Sequence, residues 1–358
     1  MVDDGTGIVL PLVGRVLVVV PVLNEVTHLH GLIAGLFEDA SSFDTMQVVV
    51  VDGGSTDGTI ALAEQLCERY PGLSLIHNPA RLQSSSVNLA VRQFGQNADF
   101  LVRCDAHAVY PAHYCSRLIR SIARHGAEAV VVPMDTVADG TWVQRAIAWV
   151  SNSPIGTGGS AHRAGQKSGY VDHGHHAAFL IDAFRHTGGY DETFTHNEDA
   201  EFDCRQRAWG GRIYLDGSIR LGYVPRPTLR ALGRQYFRYG AGRALTVRRH
   251  PRSVRLRQLI VPVHLTLSLL ALVLSPWVPL LLAWPALYLL SLLGTSCYFA
   301  VRKRSACGLL TGPAAGMMHT AWALGFLTAL LFRRQPDRRP SSLAGESLIL
   351  QASAENLP

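Results

Sequence analysis

The sequence predicts an α/β fold with a mainly parallel, doubly wound sheet, followed by helices that cross a membrane. Short apolar runs alternate with segments of helical periodicity over the first two thirds of the chain, and this alternation is typical of parallel sheets with right-handed crossovers. No charged residue occurs from residue 259 to residue 301, which is enough for two spans of about 20 residues each. The chain of 358 residues therefore has room for one large domain and a membrane-bound appendage.

Two strand–turn–helix units open the predicted sheet. Residues 15–20 are an apolar run that predicts a buried strand, and the apolar residues from Leu29 to Phe37 recur at helical spacing. Residues 47–51 predict the second strand, and residues 60–70 predict the following helix, which Pro71 ends. Both strands therefore lead into turns that carry polar residues.

The remaining elements continue the alternation. Residues 151–170 are rich in glycine and serine and predict a mobile surface loop, and a loop of this length is typical of a lid over a bound ligand. Further strands are expected at residues 73–76, 99–104, 129–132 and 177–181, and helices around Asn88, at residues 111–125 and for about three turns from Glu198.

Asp52 and Asp57 flank a glycine-rich turn after the second predicted strand. Two like charges make a poor phosphate site, whereas carboxylates suit the N–H groups of a base or the hydroxyls of a ribose. The alternative is turn and capping chemistry, which we expect for Asp57.

Asp105-Ala-His107 follows the strand predicted at residues 99–104, at the edge where open α/β sheets bind ligands. On an extended backbone, residues i and i+2 point to one side, so we expect Asp105 and His107 to reach a single divalent cation. An imidazole ligand shifts the preference from Mg²⁺ towards Mn²⁺. The alternative is a strand-end aspartate beside a solvated histidine. A further metal ligand or phosphate contact can come from His173, His175, His176 and His196, and the alternative for each is a surface or hydrogen-bonded histidine.

Glu198 and Asp199 stand at the predicted start of a helix. One carboxylate can cap the helix while the other faces the cleft, where a carboxylate near a partly desolvated hydroxyl is a suitable general base. The alternative is that both carboxylates only favour the helix dipole.

Gln235, Arg238 and Tyr239 lie in a basic stretch, because no acidic residue occurs between Asp216 and Asp337. Arg238 can bind a diphosphate bidentately, Tyr239 can stack on a ring, and Gln235 lies about one helical turn away. The alternative is a basic interfacial helix with aromatic residues at headgroup depth. The charge pattern favours an anionic membrane face or a phosphate-bearing lipid over nucleic acid as the partner.

Five motifs occur together in one order and spacing. They are Val19-Val-Pro21-Val-Leu-Asn24-Glu25, Val51-Asp52-Gly-Gly-Ser-Thr-Asp-Gly-Thr59, Asp105-Ala-His107, Asn197-Glu198-Asp199 and Gln235-x-x-Arg238-Tyr239. As an ordered set over about residues 14–245, they resemble the family 2 glycosyltransferases of the GT-A fold. The fuller forms Asp-Ala-His-Ala-Val-Tyr-Pro and Gln-Tyr-Phe-Arg-Tyr-Gly are similar to the bacterial membrane-associated branch that includes the succinoglycan-type glucosyltransferases.

The resemblance implies inverting transfer from a nucleotide sugar, with a UDP-sugar such as UDP-glucose expected as the donor and Mn²⁺ or Mg²⁺ as the cofactor. Asp105 would contact the ribose and the metal, and His107 would occupy the second metal-ligand position. Asp199 would be the base that deprotonates the acceptor hydroxyl. The resemblance assigns the donor nucleotide to Pro21, Asn24, Glu25, Asp52 and Asp105, and the diphosphate or acceptor to Glu198, Gln235, Arg238 and Tyr239.

Two positions depart from the family pattern. His107 stands where a second aspartate is usual in the metal motif, and Tyr239 stands where processive synthases have tryptophan, which favours the addition of a single sugar. The resemblance implies a polyprenyl-diphosphate-linked or other lipid-linked saccharide as the acceptor, in cell-surface polysaccharide synthesis. The alternatives are a processive polysaccharide synthase, a nucleotidyltransferase and a non-catalytic membrane scaffold that binds nucleotide.

The chain divides into five expected regions. We expect an N-terminal tail at residues 1–13, a GT-A catalytic domain at 14–227, basic amphipathic interfacial helices at 228–258, two or three transmembrane segments at 259–332 and a polar tail at 333–358. The N-terminus lacks a basic region before an apolar core, so we expect no secretory signal and a cytosolic catalytic domain at the inner or plasma membrane. Six cysteines without a CxxC pair predict reduced thiols.

The basic clusters near the apolar segments conflict with three membrane crossings. Pro276 and Pro279 divide the uncharged stretch into two spans, and residues 306–332 are a third candidate. Basic clusters flank all three, and three crossings would place the last cluster outside. We therefore expect an even number of crossings, with a re-entrant or hairpin segment at residues 306–332.

Overall fold

The computed structural model describes residues 14–158 and 167–333. Within them the chain forms two compact units, residues 14–134 with 167–222 and residues 135–158 with 223–333. The tails expected at residues 1–13 and from residue 334, and the middle of the expected lid, lie outside the described residues.

A mainly parallel sheet of eight strands forms the first unit. The strands are β1 Arg15–Val22, β2 Thr45–Asp52, β3 Leu73–His77, β4 Phe100–Arg103, β6 Ala129–Val132, β8 Gly169–Tyr170, β9 His175–Leu180 and β10 Ile213–Leu215. Their order is β3-β2-β1-β4-β9-β6-β10-β8. The pairs β1-β2, β1-β4, β2-β3 and β6-β10 are parallel, whereas β9 is antiparallel to both of its neighbours. The predicted α/β class and mainly parallel sheet are confirmed.

Both faces of this sheet are covered, which explains why its strands are apolar throughout. In β1, Val18 and Val20 belong to one buried cluster, and Leu17 and Val19 belong to the other. The covering helices are α1 Val26–Phe37, α2 Thr59–Arg69, α3 Gln83–Phe94, α4 Tyr114–His125, α7 Ile181–His186 and α8 Glu198–Ala208, with 3₁₀ turns at Ala40–Ser42 and Gly95–Asn97.

The register of the sheet aligns the strand ends that carry polar residues. Val22 of β1 pairs with Asp52 of β2, and Val19 of β1 pairs with Arg103 of β4. The carboxyl ends of these three parallel strands therefore lie at one edge. Three short strands that the sequence did not predict, β5 Ala108–Val109, β7 Met134–Thr136 and β11 Leu221–Tyr223, form a second sheet in the order β5-β11-β7.

The second unit is helical. Its helices are α5 Trp142–Ser151, α6 Pro154–Thr157, α9 Leu229–Arg249, α10 Leu256–Leu274, α11 Ala283–Arg302 and α12 Thr311–Phe332, with 3₁₀ turns at Pro251–Ser253, Pro279–Leu282 and Ala306–Leu310. Three segments are long and apolar enough to cross a membrane: Leu256–Leu274, Pro279–Arg302 and Ala306–Phe332.

The third apolar segment corrects the sequence prediction. We expected a hairpin there because of its glycines and proline, but α12 is one continuous helix. Pro313 falls in the first turn, where its missing N–H group is tolerated. Gly312 serves close packing instead, because a Cβ atom at this position would overlap the carbonyl oxygen of Leu292 on α11.

Candidate active site

The turns after β1 and β2 are tied together by side chains. Asn24 has a left-handed backbone, with φ of 59°, and its Oδ1 accepts the N–H of Thr56 at 2.8 Å. The Asn24 N–H donates to Ser55 Oγ at 2.8 Å, and the Glu25 N–H donates to Thr59 Oγ1 at 2.8 Å. Two expected nucleotide-binding residues, Asn24 and Glu25, are therefore held at the edge where the strands end.

Asp52 ends β2 and is 2% exposed. Its carboxylate accepts the N–H groups of Gly54 at 2.7 Å and Ser55 at 3.1 Å. Burial raises the pKa of Asp52, but the hydrogen bonds from Ser55 and Gly54 outweigh burial and hold the pKa below its usual range. Asp52 is therefore an ionised residue that shapes its own loop, and Pro21 lies beside it, paired with Val51.

Asp57 has the capping role expected of it. Its Oδ1 accepts the Thr59 N–H at 3.0 Å and its Oδ2 accepts the Val26 N–H at 3.2 Å. These N–H groups belong to the first residues of α2 and α1, which have no acceptor within their own helices.

Arg103 lies at the centre of a cluster of carboxylates. It ends β4, and its side chain is only 4% exposed. Nη1 donates to Asp199 Oδ1 at 2.6 Å, and Nη2 donates to Asp105 Oδ1 at 3.2 Å. Glu198 Oε1 lies 4.0 Å from Nη1. One buried guanidinium thus joins the carboxylate after β4 to the two carboxylates at the start of α8.

Asp105 has further partners that fix its position. Its Oδ1 also accepts from Gln83 Nε2 at 2.5 Å, and its N–H donates to the Tyr110 hydroxyl at 2.6 Å. Burial raises the pKa of Asp105, but the charge of Arg103 and then those of His175 and His107 lower it further, so the pKa lies below its usual range. Asp105 is therefore ionised at neutral pH.

The expected geometry of His107 is wrong. The segment is not extended, because β4 ends at Arg103 and the Ala108 N–H closes a turn onto the Asp105 carbonyl oxygen at 3.2 Å. The His107 Nδ1 atom lies 2.9 Å from Glu25 Oε1. Burial raises the pKa of Glu25, and the contact with His107 outweighs it, leaving the pKa lowered. The ring of His107 thus pairs with the turn after β1.

His175, one of the four histidines named as possible metal ligands, faces the carboxylates. Its Nε2 lies 3.6 Å from Asp105 Oδ2, and its Nδ1 lies 4.0 Å from Asp199 Oδ2. The buried Asp203, one turn after Asp199 on α8, accepts from the Gly174 N–H at 3.4 Å and lies 2.7 Å from His173 Nδ1. Helix α8 therefore positions both Asp199 and the strand that carries His175.

Glu198 is the carboxylate with the most altered acidity. Burial, followed by the neighbouring charge of Asp199, raises the pKa of Glu198 to about 7, although Arg103 acts in the opposite direction. Its N-terminal neighbour Asn197 has a left-handed backbone and makes no side-chain cap to the helix. Glu198, Asp199 and Glu201 all lie in the first turn of α8, so they also favour the helix dipole.

The donor set is chemically suited to a divalent cation. Within residues 14–158 and 167–333 no group of three or more His, Cys, Asp or Glu side chains is arranged to hold a metal. Asp105 Oδ2 and His175 Nε2 nevertheless lie 3.6 Å apart. A carboxylate oxygen and an imidazole nitrogen are ligand types that Mn²⁺ accepts.

The remaining predicted residues lie in the second unit, on α9. Gln235 Nε2 donates to the hydroxyls of Tyr223 at 2.7 Å and Tyr239 at 2.9 Å. Arg238 is exposed. The predicted one-turn spacing of Gln235 and Tyr239 on a single helix is confirmed.

The comparisons with known proteins agree with this architecture. A sequence model described as "Glycosyl transferase family 2" matches residues 17–188. The chain is 42% identical to "Succinoglycan biosynthesis protein ExoA" of Rhizobium meliloti, over 89% of this chain and 96% of that protein. It is 30% identical to "Polyprenol monophosphomannose synthase" of Mycolicibacterium smegmatis, over 39% of this chain and 54% of the relative.

One solved structure shares the fold over most of the chain. It is a mannosyltransferase from Pyrobaculum calidifontis in complex with GDP-Man and Mn²⁺, with a TM-score of 0.59 and 19% identity, covering 90% of this chain and 89% of that one. The doubly wound sheet is thus a GT-A fold with apolar helices after it. On this evidence the chain belongs to the family 2 glycosyltransferases and resembles the succinoglycan type.

Proposed function

We propose that this glycosyltransferase moves a single sugar from a UDP-sugar to a polyprenyl-diphosphate-linked saccharide, with inversion, at the cytosolic face of the membrane. Its relatives take part in polysaccharide synthesis and related sugar transfers. The observation that carries the proposal is the buried Arg103, which holds Asp105 and Asp199 on one guanidinium. This arrangement supports the assignment of Asp105 to the donor and of Asp199 to the base, because the two carboxylates share one partner.

Asp199 is the general base in this proposal. Its Oδ1 accepts from Arg103 Nη1 at 2.6 Å, which fixes the orientation of the carboxylate. The acceptor hydroxyl gives its proton to Asp199 while its oxygen bonds to the anomeric carbon of the donor. The bond from that carbon to the diphosphate oxygen breaks, and the nucleoside diphosphate leaves with the electron pair. Attack from the face opposite the leaving group inverts the anomeric configuration.

Asp105, His175 and His107 are the residues that would hold a divalent cation. When bound, the cation neutralises the charge of the leaving diphosphate. The Mn²⁺ named in the Pyrobaculum calidifontis structure supports this choice of ion. The His107 Nδ1 atom lies 2.9 Å from Glu25 Oε1, so binding of a cation through Nδ1 would break this contact.

The donor nucleotide is assigned to the turns that are tied together after β1 and β2. Asn24 and Glu25 lie in the first turn, Asp52 ends β2 directly before the second turn, and Pro21 lies in β1. The carboxylate of Asp52 is ionised and can accept from the N–H of a base or the hydroxyls of a ribose.

A lipid-linked acceptor fits the second unit. Its apolar helices follow a basic helix, α9, on which Arg238 is exposed and can bind a diphosphate. Gln235 and Tyr239 hydrogen-bond to each other and would orient the acceptor beside Arg238. The relative from Mycolicibacterium smegmatis is named "Polyprenol monophosphomannose synthase", which supports a polyprenyl lipid.

Purified enzyme tests the proposal when it is offered a panel of nucleotide sugars and a polyprenyl-diphosphate-linked saccharide, with added Mn²⁺ or with a chelator. We expect release of UDP and an acceptor extended by one sugar of inverted configuration, and loss of both when the cation is chelated. Release of inorganic diphosphate would indicate nucleotidyl transfer, and a ladder of long products would indicate a processive synthase. The same assay compares Asp199→Asn, which lacks the candidate base, with Asp182→Asn as its matched control. The side chain of Asp182 is 95% exposed.

A further inference from the structure

The three apolar segments together line a cavity. Its volume is about 160 Å³, far above the ~10–15 Å³ that a cavity needs to hold one water molecule. Its polar lining includes His264 and Ser268 of α10, Tyr288 of α11 and His319 of α12. Apolar side chains, among them Leu265, surround these groups. The cavity therefore combines an apolar wall with a small set of hydrogen-bonding groups.

The polar residues of the cavity lie well inside the apolar segments. His264 is eight residues from the nearer end of its segment, Tyr288 is nine and His319 is thirteen. Eight residues of α-helix rise about 12 Å, and the hydrocarbon core of a bilayer is ~30 Å thick. In a membrane, the cavity is therefore at the depth of the acyl chains and below the charged headgroups.

Both histidines of the apolar segments line this cavity. The sequence has no other histidine between Leu256 and Phe332. Their rings approach one tyrosine from two helices: the ring centroid of Tyr288 lies 4.2 Å from that of His264 and 6.2 Å from that of His319. Ionisable side chains are costly in membrane spans and mark polar sites there. Their convergence favours a functional site over simple packing against lipid.

Hydrogen bonds determine what Tyr288 can still bind. His319 Nε2 donates to the Ile155 carbonyl oxygen at 2.8 Å, because a carbonyl oxygen can only accept. In the neutral ring Nδ1 is then the acceptor, and the Tyr288 hydroxyl, 2.9 Å away, donates to it. The Tyr288 oxygen therefore keeps only its capacity to accept. A ligand that bonds to this oxygen must supply a donor.

Two polar groups of α10 complete the site. In the described part of the chain, Ser268 Oγ is buried without a hydrogen-bond partner. The His264 ring contacts the rings of Trp284 and Tyr288 there but makes no hydrogen bond. A polar group without a partner is costly at acyl-chain depth. Ser268 and His264 can each donate to an acceptor, so they suit a ligand that also accepts.

We propose that this cavity binds the hydroxyl end of an uncharged lipid alcohol that is dissolved in the acyl layer. The ligand hydroxyl donates to the Tyr288 oxygen, and its own oxygen accepts from Ser268 Oγ. Leu265 and Pro285 contact the first carbons of the chain. The proposal is independent of the donor sugar, the acceptor, the catalytic base and the number of membrane crossings.

The chemistry of the site selects this ligand among membrane components. The carbonyl group of a quinone or an ester can only accept, so it leaves the Tyr288 oxygen unpaired. A phosphate-bearing lipid would bring charge to a depth at which the chain offers no cationic side chain, since Asp, Glu, Lys and Arg are absent from residues 259–301 and 305–332. Water has the same hydrogen-bonding capacity as an alcohol, but it gains nothing from the apolar wall.

A long-chain alcohol with a photoreactive diazirine next to its hydroxyl tests the site on the full chain in lipid vesicles. We expect adducts on the peptides that contain Ser268 or Tyr288, mapped by mass spectrometry. Three competitors share an isoprenoid chain: a polyprenol, its monophosphate and squalene, which has no oxygen. The polyprenol should suppress these adducts at concentrations about tenfold below squalene and about 100-fold below the monophosphate.

The competitors also separate the other occupants. Equal suppression by squalene and the polyprenol would show that the groove takes any apolar chain. Stronger suppression by the monophosphate would show a site for a charged lipid. An absence of adducts on these peptides would leave water as the occupant. Each of these three results overturns the proposal.

Ser268→Ala tests the hydrogen bond to the ligand. The change should raise the concentration of polyprenol needed for suppression about fivefold, the effect of one hydrogen bond. Ser291→Ala is the matched control, because Ser291 is exposed on α11 and its Oγ donates to the Tyr288 carbonyl oxygen at 2.7 Å. Equal suppression in both variants contradicts the proposal. The comparison of competitors uses the native chain, so it remains decisive if Ser268→Ala does not fold.

Discussion

Arg103 fixes the geometry of the candidate active site. Two ionised carboxylates repel each other strongly in a site with little water. The guanidinium between Asp105 and Asp199 offsets this repulsion, and its two nitrogens hold one oxygen of each carboxylate. Its planar fork suits such a bidentate role, which a lysine cannot reproduce. In the proposed mechanism, Arg103 would therefore act by positioning the residues that perform the reaction.

Replacement of Arg103 tests this role. We expect Arg103→Met to lower kcat by about 100-fold or more, since small displacements of reacting groups have effects of this size. Thermal unfolding should also occur at a lower temperature, because removal of one partner from a buried ion pair costs about 3–5 kcal/mol. Arg103→Lys should fall between Arg103→Met and the native enzyme in both measurements.

The exposed pair of Arg15 with Asp99 provides the matched control. Its atoms approach to 2.9 Å, but both side chains are more than 40% exposed, and solvent screens such pairs so that they contribute little to stability. Arg15→Met should therefore leave kcat unchanged and the melting temperature nearly so. Equal effects of Arg15→Met and Arg103→Met would contradict the positioning role.

Glu198 makes stability depend on pH. Its pKa is raised to about 7 in the folded protein and is lower in an unfolded chain, so folding favours the protonated form. The stabilisation is complete below the unfolded pKa and is lost as pH rises through about 7. Glu198→Gln, which mimics the neutral form, should melt near the native temperature at pH 5 and higher at pH 8. The shift corresponds to about 3 kcal/mol at most.

Melting curves of both proteins between pH 5 and pH 8 measure this difference. Asp182→Asn serves as the control, because an exposed carboxylate should shift neither curve. The melting temperature of Glu198→Gln relative to the native enzyme should rise between pH 5 and pH 8. If it does not rise, Glu198 is ionised throughout this range.

The histidines show how far single residues can be predicted from the sequence. Asp105 was predicted correctly to follow a strand, because the apolar run before it is unambiguous. His107 was expected beside it on an extended backbone, but the chain turns after Arg103 and the imidazole faces Glu25. His175 lies near Asp105 instead because Asp203 holds the preceding residues. No local pattern reports a contact between residues so far apart in the chain.

Helices α9 and α12 show how elements are joined through glycines. Gly240 lies where a Cβ atom would overlap the Trp322 carbonyl oxygen and approach the Phe326 nitrogen. Backbone atoms cannot move aside as side-chain ends can, so the helices would separate to admit a larger residue. Close approach of this kind needs glycine for its lack of a side chain.

We expect Gly240→Ala to destabilise the enzyme by about 1–3 kcal/mol through overpacking. Gly31→Ala is the matched control, because Gly31 is exposed on α1 and a Cβ atom there meets nothing within 4 Å. That change should stabilise the enzyme by about 0.5–1 kcal/mol. The melting temperatures of both variants give the comparison, and a Gly240→Ala protein as stable as Gly31→Ala would contradict the close packing of α9 and α12.

At the element scale, the length of an apolar run determined whether a strand could be predicted from the sequence. The strands β1 and β2 were predicted within two residues at each end, because they are apolar on both faces and eight residues long. The strands β5 and β8 have only two residues each, which is too short to show any periodicity. The hairpin expected at residues 306–332 was wrong because glycine and proline also serve helix packing and helix starts.

Across the whole molecule, the order of the motifs is more informative than any single motif. Asp105-Ala-His107 alone is a common combination, yet with four further motifs in sequence it indicated the family that the relative from Rhizobium meliloti supports. The division of the chain into two units was harder to predict from the sequence, because residues 135–158 group with the helices from residue 223 onwards. That grouping depends on packing of buried side chains such as Ile147 and Met318.

The central claim is that Asp199 removes the proton of the acceptor hydroxyl. The most direct test measures single-turnover sugar transfer and UDP affinity together, in Asp199→Asn and in Asp182→Asn. A general base contributes about 10²–10⁴-fold to the rate, so Asp199→Asn should lose transfer by that factor while binding UDP within a few-fold of the native enzyme. Transfer by Asp199→Asn at the rate of Asp182→Asn would contradict the account.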